Sequence, residues 1–264
     1  MASIIYIFGY FSHAFKNKLQ IERIIKKEKI KTLNLLLSNF ISYSQEFEDF
    51  ILYYLFYDID RGFYIDIGAN DPNIISVTKA FYDRGWSGIN IEPLPHKYQL
   101  LKKYRTRDIN INLGAGNLKG NSTLQISCGN GVCSSIFHNK FINNSKYIKI
   151  KIDTMSNICK IYLPKGKEIH FCKIDVERAE KNVLLGFDFI HYRPKVFCIE
   201  SLINQKTKKP EYIDWEYILK ENDYNFGYNF KHNRFYYDNR IIGLKDKFKK
   251  IDYYTKFYFK NFSY

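Results

Sequence analysis

Apolar positions along this chain change period repeatedly, and each change marks an element. Tyr43, Phe47, Phe50, Ile51, Tyr54 and Leu55 recur at helical spacing, and Ser42 with Gln45 three residues later reads as a capping box at the start of that helix. Phe63 to Ile67 is apolar on both faces, as a central parallel strand must be. The helical period returns from Ser76 to Arg84 and stops at Gly85; Gly88 to Ile91 is a second strand. A helix from His96 to Arg105 and a strand from Ile109 to Leu113 follow, and the end of the strand carries Gly114-Ala115-Gly116. The run NLKGNSTLQISCGNGVCSSIF is rich in Gly, Ser and Asn and predicts a short strand and a long loop. Beyond it the pattern predicts a short strand at Lys149 to Ile152, a short helix at Met155 to Ile161, and a fourth main strand at Ile169 to Ile174. A helix at Ala179 to Leu185 and a fifth strand at Val196 to Ile199 come next. A helix at Asp214 to Glu221 precedes two aromatic strands, Tyr224 to Tyr228 and Arg234 to Tyr237, which read as an antiparallel hairpin at the sheet edge.

Strands alternating with helices specify an α/β architecture, a mostly parallel central sheet with helices on both faces. At 264 residues the chain has room for one main domain and a small appendage. We divide it into an N-terminal helical extension over 1–41, a central domain over 42–244 and a basic aromatic tail over 245–264. The extension pairs an aromatic opening, MASIIYIFGYFSHAF, with the basic amphipathic KNKLQIERIIKKEKIKTLNLLL. Two readings fit it: a helix covering the core, or one resting on an anionic membrane face. It lacks the basic start and small-residue cleavage site of a signal peptide, and no run of apolar residues is long enough to span a bilayer.

Lys and Arg outnumber Asp and Glu by 41 to 27, a net charge of +14 that suits acidic partners or an anionic membrane. The same excess arises from a Lys-rich composition alone, and no RNP, KH or zinc-finger signature singles out nucleic acid as a partner. The five cysteines, Cys128, Cys133, Cys159, Cys172 and Cys198, are odd in number and lack CxxC pairs. They fit a reducing cytoplasm without a metal site.

The chemistry gathers where strands end. Asp66, Glu92, Asp175 and Glu200 each stand at the carboxyl end of a predicted strand, where open α/β sheets bind ligands. Glu92 follows Asp66 by 26 positions, close to the spacing of about 20 at which an acid takes ribose hydroxyls in nucleotide folds. The alternative for Glu92 is a salt bridge to Lys97 or Arg105. Gly68 permits a tight turn beside the ligand, but IGAND is not GxGxxG, and Asp71-Pro72 stand where a pyrophosphate needs open amides. A ligand with a ribose and no pyrophosphate fits better, and S-adenosylmethionine is the common one.

The strings DIGANDPNIISVTKAFYDRGWSGINIEPLP, RDININLGAG, CSSIF, KIDVERAEKNVLLGFDF and VFCIES, in this order over about residues 44 to 240, resemble the FkbM family of S-adenosylmethionine-dependent methyltransferases. The resemblance implies a Rossmann-like class I methyltransferase sheet with a reversed edge hairpin, and methyl transfer, commonly to a hydroxyl of a sugar or other metabolite. It places Asp66, Gly68 and Asn70 at the methionine end of the cofactor, Glu92 on its ribose, and Gly114 and Ala115 near its adenine. The family usually has glycine after DVE, whereas Arg178 stands here. A positive φ at that position would strain an arginine, and a substrate path there would be occluded by it.

A hydroxyl acceptor needs a base, and Asp175 and Glu177 are the candidates. Their alternatives are a helix cap for Asp175 and a pairing of Glu177 with Lys173 or Lys181. Ser134, Ser135, His138, Arg178 and Glu200 are candidate acceptor contacts, with His138 an alternative base; Trp86 and Trp215 read as packing residues. The leading function is O-methylation of a sugar hydroxyl in a glycan or its precursor, in the cytoplasm or at the inner membrane face. Two others compete: a catalytically impaired cofactor-binding module that partners a glycosyltransferase, motivated by Arg178, and an RNA methyltransferase, motivated only by charge.

Overall fold

The computed structural model describes residues 40–126, 146–204, 207–253 and 255, and the backbone of Ser134 and Ser135. Residues Ile41–Thr255 form one compact unit. The expected N-terminal helical extension, Cys128, Cys133 and His138 lie outside the described residues. Among the described residues no helix is long and apolar enough to cross a membrane.

The central sheet is built from β1 (Phe63–Ile67), β2 (Ser87–Ile91), β3 (Ile109–Ile111), β8 (Phe171–Ile174), β9 (Val196–Glu200), β10 (Tyr224–Phe230) and β11 (Asn233–Asp238). Their spatial order is β10-β11-β9-β8-β1-β2-β3. The strands from β3 across to β9 run parallel, and β11 lies antiparallel to both β9 and β10. The sheet is therefore mostly parallel with a reversed hairpin at one edge, consistent with a Rossmann-like fold. The chain leaves β1 towards β2 and β3, then returns to lay β8 on the other flank of β1. The gap between the carboxyl ends of β1 and β8 is thus a topological switch point, where such sheets bind ligands.

Both faces of β1 are buried, which is why its sequence shows no alternation. Ile65 and Ile67 pack with Met155 and Ile158 of α4 (Met155–Tyr162), Val183 and Leu184 of α5 (Glu180–Leu185) and Leu219 of α6 (Glu216–Glu221). Tyr64 points the opposite way and stacks on Phe171 of β8, 5.7 Å between centroids. Phe171 in turn meets Phe56 of α1 (Glu48–Phe56) and Phe81 of α2 (Lys79–Asp83). Helices therefore cover both faces, with a mixed aliphatic and aromatic layer on one and a mainly aromatic layer on the other. Trp86 and Trp215 are buried in this packing.

A second sheet, in the order β4-β7-β5-β6, holds β4 (Gly114–Gly116), β5 (Gly120–Ile126), β6 (Ser134–Ser135) and β7 (Lys146–Thr154). Gly114-Ala115-Gly116, at the end of the expected third strand, is a strand of its own, β4, paired in parallel with Ile152–Thr154 of β7. Small residues carry no strand pattern in sequence, and only the non-local partner makes it a strand. The crossover helix expected from Ser76 shrinks to five residues, with α3 (Pro95–Tyr104) next. Gly85 ends α2 at φ 88. The Ser42–Gln45 capping box does not form. The N-cap of α1 is Phe47, in the left-handed region at φ 62. Ser42 Oγ donates instead to Asp49 Oδ1 at 2.7 Å, and Asp49 also accepts from Tyr43 N, Ser44 N and Ser44 Oγ. Burial, ahead of these bonds, pushes the Asp49 carboxyl up to about 6.

Candidate functional site

The switch-point cleft begins with the way β1 ends. Gly68 turns at φ 80, and a Cβ there would stand 1.9 Å from the Asp175 carbonyl oxygen. Only glycine lets the ends of β1 and β8 pass this closely. The strand ends are laced together: Gly68 N and Ala69 N donate to Ile91 O, Asp175 N to Ile67 O, and Glu92 N to Ile111 O. Ile67, Gly68, Asn70, Ile91, Glu92, Gly114, Ala115, Leu124, Lys173, Asp175, Glu177 and Glu200 share one cleft at this rim, closed on one side by Gln45.

Glu92 is 4% exposed and is fixed by the backbone around it. Oε2 accepts from Asn70 N at 2.8 Å and Oε1 from Leu94 N at 2.7 Å. Burial raises its pKa in spite of those two amides. The salt-bridge alternative fails: Lys97 pairs with Asp71 at 3.2 Å, and the buried Arg105 donates to Pro72 O and Ser76 Oγ. Asp71 Oδ1 also accepts from Asn73 N and Ile74 N, so the turn after Asn70 spends its amides on itself and offers none to a pyrophosphate.

Asp66 is a correction. It does not line the cleft; it lies beneath its floor, 1% exposed, accepting from Thr78 Oγ1 at 2.9 Å. The reason is register: Asp66 stands beside Asn90 on one side and Lys173 on the other, on the face covered by α1 and α2. Its Oδ1 has no hydrogen bond among the described residues, and Lys173 Nζ stands 3.9 Å from it. Lys173 carries that charge into the cleft by pairing with Asp175 Oδ2 at 3.0 Å. Burial pulls the lysine's pKa down, but Asp175 and Asp66 more than offset it and hold it raised.

Lys173 therefore belongs to Asp175, not to Glu177, and Asp175 does not cap the next helix, whose N-cap Ala179 has no side-chain bond. The loop between β8 and α5 is organised by Glu180, whose Oε1 accepts from Val176 N and Arg178 N, both at 3.2 Å. Burial pushes Glu180 up to about 8. Within that loop Glu177 and Arg178 both sit at positive φ, 53 and 83. The glycine-like backbone expected at Arg178 is thus present, with an arginine in it. Its side chain leaves the cleft and lines a neighbouring hollow, with Nε 3.0 Å from Glu211 Oε1, an ion pair without hydrogen-bond alignment.

Where Asp175, Glu177 and Glu200 line the cleft the acids crowd. Burial, then the Asp175 charge, pushes Glu177 up to about 7. The same causes, with Glu177 and Glu180 adding, push Glu200 up to about 10. Ser134 and Ser135 are placed only as backbone, pairing with Ile126 and Gln125. His170, the other histidine near these strands, lies at the amino end of β8, where Nδ1 accepts from Phe63 N.

Among the polar residues, sequence reasoning missed Lys173 and Gln45 on the cleft wall and Glu180, which holds the loop beside it. Lys173 had a signal, a charge inside an otherwise apolar strand, which demands a buried acid opposite. Glu180 had a weaker one, an acid in a first helical turn. Gln45 had none, because its place depends on how the segment before α1 crosses the rim.

A family model described as the methyltransferase FkbM domain matches residues 66–226, which span β1 to β10 and every described wall of the cleft except Gln45. No curated protein and no solved structure matches the chain.

Proposed function

Since the chain belongs to the FkbM methyltransferase family, we propose that it transfers the methyl group of S-adenosylmethionine to a sugar hydroxyl in a glycan or its precursor. The observation that carries this reading is Glu92: a buried carboxylate, held by two backbone amides at the end of β2, facing the same cleft as Asp175 and Glu177. Each of its oxygens accepts one amide and keeps a second lone pair. Two adjacent hydroxyls, as on a ribose, match that pair of acceptors. Asn70 Oδ1, buried at the cleft and without a hydrogen-bond partner among the described residues, is a further acceptor suited to the cofactor's polar end. Gly114 and Ala115, with Leu94 and Leu124, give a small-residue apolar wall for a flat base.

When bound, S-adenosylmethionine supplies an electrophilic methyl on a sulfonium. The protein's task is then alignment and a proton sink. Asp175, oriented by Lys173, and Glu177 face the cleft together, and a Glu177 carboxyl near 7 is poised to accept the hydroxyl proton at neutral pH. Asp66 serves at one remove, by holding Lys173. The impaired-module alternative rested on Arg178 blocking the site; its side chain lies in the next hollow, which supports an open cleft.

Calorimetry with S-adenosylmethionine tests this. The intact chain should bind at micromolar concentration, and Glu92→Ala should weaken binding by roughly 30-fold, about 2 kcal/mol for two lost hydroxyl bonds. Surface polysaccharide from cells lacking the chain should be lighter by one methylene per modified sugar in mass spectra. No binding to the intact chain at about 1 mM would sink the reading.

A further inference from the structure

The loop Asp175–Arg178 has two sides. Asp175, Val176 and Glu177 face the cleft, while Arg178 faces a second hollow whose wall includes Lys181, Asn182, Glu211, Asp214 and Trp215. Nothing in the proposed methyl transfer uses this hollow, yet it carries an unmet donor. Trp215 is 2% exposed, lines the hollow, and its indole Nε1 has no acceptor among the described residues. A buried N–H without a partner costs about 1–3 kcal/mol, so an oxygen delivered there by a ligand is favoured.

The lining also defines the ligand's chemistry. Two cations, Arg178 and Lys181, stand among three carboxyls, Glu180, Glu211 and Asp214, and Arg178 is already paired with Glu211. Lys181 alone is left for a phosphate or carboxylate, with Glu211 and Asp214 on the same wall to repel it, and an apolar group finds no matching wall. Hydroxyls, which donate and accept, match both kinds of group at once. The strain of Arg178 at φ 83 is of the kind that persists where surrounding structure and function hold it.

We propose that this hollow is a second acceptor subsite, which holds a neutral sugar residue next to the one methylated in the cleft. The acceptor is then an oligosaccharide or a glycosylated precursor, gripped on both sides of the Asp175–Arg178 loop. This rests on the sugar O-methylation reading, but its test does not need the cofactor.

The chain has two tryptophans, so a nitrogen-15 proton correlation spectrum carries two indole signals, assigned by backbone connectivity. Glucose, galactose, mannose, rhamnose, maltose, cellobiose and lactose are each titrated to roughly 50 mM, with glucuronate and inorganic phosphate alongside. The Trp215 signal should shift saturably with at least one neutral sugar, while the Trp86 signal, deep in the aromatic layer, stays fixed. The exposed variants Lys181→Met and Asp214→Ala, which leave the core intact, should each weaken that response about fivefold, the loss of one hydrogen bond. The proposal is overturned if no neutral sugar moves the Trp215 signal, if both indoles drift together without saturation, or if only glucuronate or phosphate acts. Parallel titration with S-adenosylmethionine, read at the Gly68 amide, reports on the cleft separately. Failure there condemns the cofactor reading, and a silent Trp215 condemns this one.

Discussion

Arg178 concentrates at one residue the tension between local geometry and chemistry. A side chain at φ 83 pays for a backbone that glycine adopts freely, and the only return within view is an ion pair with Glu211 from a side chain 41% exposed. Such a partly solvated pair contributes little, about 0–1 kcal/mol. Arg178→Gly should therefore be more stable than Arg178→Ala by about 1 kcal/mol, because both lose the pair and alanine alone keeps a Cβ at positive φ. Urea unfolding of both variants measures the difference, and an alanine variant as stable as the glycine one would show that φ is not strained. The glycine expected here was legible as a departure from the family pattern. What the arginine does was not, since nothing along the chain says on which side of the loop it emerges.

Among the elements, the register of β1 against β2 and β8 decides which acids face the cleft. Asp66 and Glu92 look equivalent in sequence, each an acid closing an apolar strand. The pleat turns Asp66 under the sheet beside Lys173, while Glu92, just past the last paired residue of β2, faces the rim. The crossing of the β1 and β8 turns sets that register, and Gly68 is its contact point. Gly68→Ala would bring a methyl within 1.9 Å of the Asp175 carbonyl oxygen, an overlap only a shift of one strand end can relieve. We expect a loss of roughly 3 kcal/mol or more, from strain at positive φ plus displaced strand ends. The check is a lower urea midpoint together with loss of S-adenosylmethionine binding; an alanine variant that keeps both would mean the turns have room to part.

Across the whole molecule, the excess of basic residues conceals an acidic centre. Glu177, Glu180 and Glu200 have pKa values raised to about 7, 8 and 10, burial being the first cause in each. A carboxyl held above its unfolded value of 4.5 keeps its proton longer in the folded chain, so folding stability falls as pH rises from there and levels off only above the folded value. Replacing one such proton site removes up to about 1.4 kcal/mol of that slope per pH unit. Glu200→Gln, which mimics the protonated form, should match the parent near about pH 5 and exceed it in stability near about pH 8. Equal urea midpoints for the two chains at both pH values would show that Glu200 is not held protonated.

The order of strands and helices and the residues that close the main strands followed from apolar period, turn residues and the acids after each run. Those signals are local, and a buried parallel strand has to be apolar whatever surrounds it. Glu92, Gly68 and the Asp175-Val176-Glu177 run were found in this way. The tertiary structure alone decided that Gly114–Gly116 is a strand, that Ser42 serves Asp49, that Lys173 bridges Asp66 to Asp175, and that Arg178 faces away from the cleft. Each of these depends on which distant segment lies alongside, and pairing across a sheet leaves no mark on the residues of one strand read by itself.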